Sequence, residues 1–251
     1  MNIIKELLEN LYSNTSPYTT CEEKYIDDGY PHTNILEDLL QVLFINKEPT
    51  YIVECGSMLG GSAIKMAKTL KNNNKNTEIV CIDPFTGDVN MWDWEKNGGL
   101  GNGGWRFLRL ENGIPTIYKR FLANCRYNGF ENKILPINAT TSVGIKLLQR
   151  LYQQNRITKL PNYIYLDSAH EKDETFIELS LCWNCLINNS ILFGDDWCWD
   201  AVREDVIKFA STIKNVTDYE FLNKIQKLIN GSEIINDNIL LYNGQWILFK
   251  K

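Results

Sequence analysis

Tyr51-Ile52-Val53-Glu54-Cys55-Gly56-Ser57-Met58-Leu59-Gly60-Gly61-Ser62 runs from a short apolar stretch into a glycine loop. Ala63, Met66, Ala67 and Leu70 then follow at the spacing of one helical face. A strand, a tight turn and a helix in that order form the opening unit of an alternating α/β sheet. Glycine permits the sharp turn and lets a ligand come close to the backbone, while the helix start offers unpaired N–H groups. Gly56 and Gly60 stand four apart with Glu54 two residues before the first, unlike the G-x-G-x-x-G of dinucleotide folds. No Gly-Lys-Ser/Thr follows, so the loop is not a Walker loop. By itself the segment is also compatible with a turn that binds nothing.

The rhythm continues outward. Residues 78–83, 133–138, 163–167 and 191–194 read as further strands, separated by helical patterns over roughly 114–128, at 143–151, and around Phe176, Leu179, Trp183 and Leu186. Val202, Val206, Phe209 and Ile213 mark a helix after the fifth strand. Asn243-Gly244 between two apolar runs predicts a closing hairpin. The fold expected is α/β and Rossmann-like: seven strands, mostly parallel, with an antiparallel C-terminal hairpin strand and helices on both faces. One domain spans 1–251. Residues 1–48 form a helical N-terminal extension, in which Asn34 with Glu37 resembles a capping box. Residues 84–112 break the rhythm with Trp92, Trp94, Trp105 and glycines 98, 99, 101, 103 and 104, an insertion suited to an acceptor loop or lid, or to core packing.

A composition of 44% hydrophobic residues suffices for a sizeable core. The net charge of −5 and the lack of a basic stripe argue against nucleic acid. Lys119, Arg120 and Arg126 read as a solvated helix face. The seven cysteines, Cys182-x-x-Cys185 included, read as reduced and mostly buried thiols of a cytoplasmic protein. The amphipathic N-terminus with Glu6 and Glu9 is no signal peptide, and no apolar run reaches the length of a membrane span.

Chemistry gathers where strands end. The second strand ends in Asp83, placed like the acids that bind ribose hydroxyls, or else a turn residue before Pro84. The fourth runs into Asp167-Ser168-Ala169-His170 and the fifth into Gly194-Asp195-Asp196. In an open α/β sheet both endings fall on the carboxyl edge where ligands bind. Three carboxylates repel unless a cation compensates, which suits a divalent metal; the alternative is that Asp195 and Asp196 cap the next helix. His170 titrates in the range of a general base, the alternative being a helix-start residue bonded to backbone. His32 lacks such company and reads as structural.

Taken together, E-C-G-S-x-x-G-G-S, I-D-P-F-T-G-D, Y-L-D-S-A-H and F-G-D-D-W resemble the class I methyltransferases. The group most similar is that of small-molecule O-methyltransferases acting on macrolide and aminocoumarin sugars. The similarity covers roughly residues 50–212, and the hairpin ending also matches that fold. It implies that Glu54, Gly56, Ser57, Gly60 and Ser62 surround the methionine part of S-adenosylmethionine, that Asp83 binds its ribose, and that Asn138, Ala139 and Thr140 lie near its adenine. It further implies magnesium on Asp167, Asp195 and Asp196, His170 as base with Asp167 beside it, and a sugar or nucleotide-sugar acceptor. Homo-oligomerisation stays open. Two departures stand out: Asn188-Asn189-Ser190 replaces the usual Gly-Gly, and residues 84–112 are longer and richer in Trp than the pattern. A nicotinamide-dependent oxidoreductase would need a G-x-G-x-x-G that is missing, and a non-catalytic subunit would not need the intact acid and histidine set.

Overall fold

The computed structural model describes residues 2–27, 35–92 and 107–251. Asn34, His32, Trp94, Trp105 and the glycines at 98–104 lie outside them. Helix α2 (Glu37–Asn46) starts after Leu36, which makes no side-chain cap.

The parallel strands are β1 (Ile52–Cys55), β2 (Ile79–Asp83), β3 (Ile134–Asn138), β4 (Tyr163–Leu166) and β5 (Ser190–Gly194). They are followed by the antiparallel β6 (Glu233–Ile235), β7 (Ile239–Tyr242) and β8 (Gln245–Lys250). The strand order is β3-β2-β1-β4-β5-β8-β7-β6. Alternate side chains of one strand feed two cores. Ile52, Cys81, Tyr163 and Phe193 pack with α2, α3 (Gly61–Asn72), α5 (Ile117–Tyr127) and α9 (Tyr219–Leu228). Val53, Ile82, Ile164 and Leu192 pack on the opposite face with α1 (Ile3–Leu11), α6 (Thr141–Gln153), α7 (Glu174–Cys185) and α8 (Asp200–Thr212). Burial on both faces is why these strands read as unbroken apolar runs rather than as alternation.

The hairpin forms where expected, with Asn243 at φ +47° and Gly244 at φ +84°, the left-handed pair that a two-residue turn requires. The sheet carries one strand more than the seven expected. β6 is three residues long and largely half-exposed, too short and too wet to leave an apolar signature. The outer edge at β3 contains Pro136 and is covered by the N-terminal extension: the Tyr18 hydroxyl donates to the Ile134 carbonyl at 2.7 Å and the Tyr12 hydroxyl to that of Pro136. Among the described residues no helix is long and apolar enough to cross a membrane.

Arg120 corrects the reading of a solvated basic face. It is 2% exposed and pairs with Asp27, itself 8% exposed, while a neighbouring guanidinium, Arg109, reaches the same carboxylate at 3.3 Å. Lys119 stays at the surface on Glu111. Five cysteines are buried, Cys21 is partly buried and Cys198 is exposed.

Strand order reverses between β1 and β4, and a crevice opens at their carboxyl ends. Gly56 and Asp167 leave these two strands side by side, with the Asp167 N–H on the Cys55 carbonyl at 2.9 Å. A Cβ on Gly56, whose φ is +83°, would lie 1.8 Å from the Asp167 carbonyl oxygen. Only glycine fits there.

Candidate active site

At this crevice lies a cleft of about 760 Å³, lined by Gly56, Met58, Asp83, Asp88, Thr140, Thr141, Asp167 and His170 among others. The glycine loop forms its floor, and Gly60, at φ +87°, stands at the start of α3. Glu54 is fully buried under the loop, where it accepts the Ser62 hydroxyl and the Cys81 thiol. Burial pushes its carboxyl up to about 7 against the opposing pull of the Ser57, Ser62 and Cys81 hydrogen bonds. Glu54 and Ser62 therefore brace the loop from behind. Asp83 clamps it from the side. Its Oδ2 accepts the N–H groups of Ser57 and Met58 at 2.8 and 2.7 Å, and its Oδ1 accepts that of Phe85. Burial raises the Asp83 carboxyl above its ordinary range, and these backbone donors hold it partly back.

Across the cleft, the Ala139 N–H donates to the Asp83 carbonyl at 3.1 Å. Thr140 caps α6 through the Val143 N–H and lines the cleft with Thr141; Asn138 is exposed at the end of β3. Thr141 reaches the Ser168 hydroxyl at 3.2 Å, and Ser168 donates to Glu178 at 2.6 Å.

The endings of β4 and β5 meet as expected. His170 Nε2 lies 2.7 Å from Asp196 Oδ2 and 3.8 Å from Asp167 Oδ1. Ligand atoms of Asp167, His170 and Asp196 all fall within 4.8 Å of one another. Asp195 stays outside this group: it is buried, and its carbonyl takes the Trp246 indole N–H at 2.9 Å. Asp196 reaches the cluster through a left-handed backbone at φ +62°, which Asp tolerates.

Asp88 and the Ser168–Glu178 pair join the site without having been singled out in the sequence. The Asp88 carboxylate lies 3.3 Å from His170 Nδ1. Its only advance signal is its place at the end of D-P-F-T-G-D.

Burial would lower the pKa of His170, but hydrogen bonds to Asp167, Asp196 and Asp88 outweigh it and push the pKa up to about 12. Burial raises the Asp167 carboxyl. Burial also works against the charge of Asp196, yet the His170 hydrogen bond wins and holds that carboxyl below its usual range. Two carboxylates and an imidazole in such proximity are a donor set that fits a hard divalent ion.

An open sheet with this strand order, a glycine loop at its switch point and acids at two strand ends define a group-transfer fold of the class I methyltransferase type. Residues 53–197 match the family described as "Methyltransferase domain". The chain belongs to that family, the class I S-adenosylmethionine-dependent methyltransferases that its motifs resemble. Its fold is similar to that of an O-methyltransferase from Bacillus cereus in complex with SAH, at 10% identity and TM-score 0.50, covering 100% of this chain and 98% of that one. It is similar too to TomG from Streptomyces achromogenes, an O-methyltransferase involved in tomaymycin synthesis and in complex with SAM, at 12% identity and TM-score 0.50, covering 100% and 97%. An SAH-bound methyltransferase of Podospora anserina matches at 10% identity and TM-score 0.51, covering 89% and 81%. No curated protein matches the sequence.

Proposed function

We propose that this chain transfers the methyl group of S-adenosylmethionine to a hydroxyl of a small sugar, with a divalent metal held beside the acceptor. The observation that carries the reading is the meeting of Asp167, His170 and Asp196 at the rim of the cleft that the glycine loop floors. When bound, S-adenosylmethionine supplies a methyl carbon on a positively charged sulfur, and a metal such as magnesium supplies neutralising charge that acidifies a hydroxyl.

The chain's residues do the rest. Gly56, Ser57 and Gly60 present backbone to the methionine part, with Glu54 and Ser62 bracing the turn. Asp83 meets the ribose, and Asn138, Ala139 and Thr140 border the adenine. Asp167 and Asp196 would hold the metal, with Asp195 the third carboxylate that the resemblance implies. A cation on Asp167 and Asp196 would take up the negative charge that raises the His170 pKa, leaving Nε2 able to accept the proton of the acceptor hydroxyl. The acceptor oxygen would form the new bond to the methyl carbon as the carbon–sulfur bond breaks, its electron pair staying on sulfur. Alignment of oxygen, carbon and sulfur in a walled cleft supplies much of the rate. Residues 1–251 act as one domain, and the 84–112 segment contributes to acceptor recognition.

Of the two acceptors implied by the resemblance, a neutral sugar is favoured over a nucleotide-sugar. Asp83, Asp88, Asp167, Glu171, Glu174 and Glu178 line the cleft, and no described lining residue is Lys or Arg. A diphosphate would meet carboxylates without a compensating guanidinium or ammonium. Mass spectrometry of a panel of glycosides, nucleotide-sugars and phenols tests this: a methylated glycoside supports it, and methylation of only the phosphorylated members or only phenols refutes it. Calorimetry with S-adenosylmethionine and with NAD separates the reading from an oxidoreductase.

A further inference from the structure

Helix α5 carries a residue that its surroundings do not favour. Asn124 lies in the helix interior at 1% exposure, between the buried Ala123 and Cys125. Asn is a poor helix former, and burying an amide costs free energy unless its donor and acceptor are used. Here both are used, on backbone atoms far away in the chain. Asn124 Nδ2 donates to the Leu59 carbonyl at 3.0 Å, and Oδ1 accepts the Asp27 N–H at 2.9 Å. A carbonyl on one side and an N–H on the other admit one orientation of the amide. Asp27 is itself fixed, by the Arg120 and Arg109 guanidinium groups.

Leu59 belongs to the glycine loop, at its sharpest bend. Met58 before it sits at φ +43° and Gly60 after it at φ +87°, and the Gly60 N–H closes the turn on the Ser57 carbonyl at 2.7 Å. A left-handed backbone at a residue such as Met58 persists only where the surroundings enforce it. Asp83 does so at the start of the turn, by accepting the Ser57 and Met58 N–H groups. Helix α5 does so at its end. Asn124 takes the Leu59 carbonyl, and Phe121 and Cys125 crowd Gly60, 3.2 and 3.3 Å from where a Cβ would stand. Met58 lines the cleft, as does Met91 of the one-turn helix α4 (Val89–Trp92). Asn124 is not among the described lining residues, so it acts on the cleft only through the turn.

We propose that Asn124 is a positioning residue for cofactor binding: by holding the Leu59 carbonyl it keeps the Met58–Gly60 turn in the shape that receives the methionine part of S-adenosylmethionine. The inference rests on the reading of the glycine loop as the cofactor loop. A loop that holds its binding shape only part of the time binds with an affinity reduced by that fraction. Loss of the Asn124 bond therefore weakens cofactor binding and leaves the groups around the acceptor hydroxyl untouched.

Calorimetry of the whole chain with S-adenosylmethionine reads this directly. Asn124→Ala should raise the Kd on the order of tenfold, the size of one lost hydrogen bond. Asn124→Asp keeps the side-chain size and the acceptor for the Asp27 N–H, but loses the donor and sets a carboxylate against the Leu59 carbonyl. It should raise the Kd at least as far, which covers the case in which the alanine variant fails to fold. Asp27→Asn is the control. It strands the charge of Arg120 and lowers the urea midpoint, yet keeps the residue-27 N–H and both Asn124 bonds, so its Kd should stay within about twofold. On the glycoside that the panel identifies, the Asn124 variants should show a raised KM for S-adenosylmethionine and a kcat within about twofold at saturating cofactor. Amide hydrogen exchange across residues 56–61 should quicken in these variants and slow again with cofactor bound. A Kd unchanged in both Asn124 variants overturns the proposal, and so does an equal rise in Asp27→Asn, which would make the loss one of general stability. Unaltered protein that binds no S-adenosylmethionine removes the cofactor-loop reading itself, whereas binding that both Asn124 variants retain in full removes only the role of Asn124.

Discussion

Gly56→Ala probes the packing on which the whole site depends. The added methyl would lie 1.8 Å from the Asp167 carbonyl oxygen, 2.5 Å from its carbon and 2.7 Å from Ser168 Cα. All three are backbone atoms, so no side-chain rotation relieves the overlap. A left-handed backbone costs an alanine about 1–2 kcal/mol, and forcing apart packed structure costs a further ~1–3 kcal/mol. The expected loss is therefore about 2–5 kcal/mol, a large share of the ~5–15 kcal/mol that holds a typical domain together. Gly129→Ala is the control. Gly129 has φ +74° but no atom within 4 Å of the added carbon, so only the backbone cost of about 1–2 kcal/mol applies. Urea denaturation of both variants isolates the clash as the difference. Because relief must move Asp167 and Ser168, the folded Gly56→Ala protein should also lose methyl transfer. Equal losses of stability in the two variants, or a fully active Gly56→Ala, would refute the reasoning.

Removing metal with EDTA should suppress turnover and added magnesium restore it, because ligand atoms of Asp167, His170 and Asp196 converge within 4.8 Å as a donor set for a divalent ion; full activity after thorough chelation sinks the metal role. Glu54 has its pKa raised to about 7 from an ordinary 4.5, so its contribution to stability is full below about pH 4.5 and is lost as pH rises through about 7. Glu54→Gln should lack that decline, a difference on the order of 3 kcal/mol between denaturation curves at about pH 5 and about pH 8; parallel pH dependence in the two proteins counts against it. Asp27→Ala should cost about 3–5 kcal/mol by stranding the buried Arg120, and Asp27→Ala with Arg120→Met should recover much of it, as thermal unfolding would show.

Much of this architecture is legible in the chain. The central strands are short apolar runs because both faces are covered, and Gly56 and Gly60 announce the switch-point loop. The carboxyl-edge rule brings the ends of β4 and β5 side by side, and with them Asp167, His170 and the Asp195-Asp196 pair. What escapes the sequence depends on distant partners. Asp195 and Asp196 are adjacent and chemically identical, and only the left-handed backbone at Asp196 selects which one meets His170. Asp88 arrives through a turn whose shape is enforced by Leu108, Tyr118 and Phe121, well downstream. Arg120 reads as surface until Asp27, 93 residues away, supplies its counter-charge. Glu54 sits beside the cofactor loop in sequence, yet its side chain turns under the loop to Ser62 and Cys81.

Methyl transfer from S-adenosylmethionine to a sugar hydroxyl is the reaction proposed for the Asp167–His170–Asp196 cluster. Its most direct test is mass spectrometry of a neutral glycoside panel incubated with S-adenosylmethionine, magnesium and either the unaltered protein or His170→Ala. The account predicts a glycoside heavier by one methylene unit, formed by the unaltered protein and nearly absent with His170→Ala, while calorimetry shows both proteins binding the cofactor equally. Equal product from the two proteins, or cofactor binding with no glycoside methylated, would contradict it.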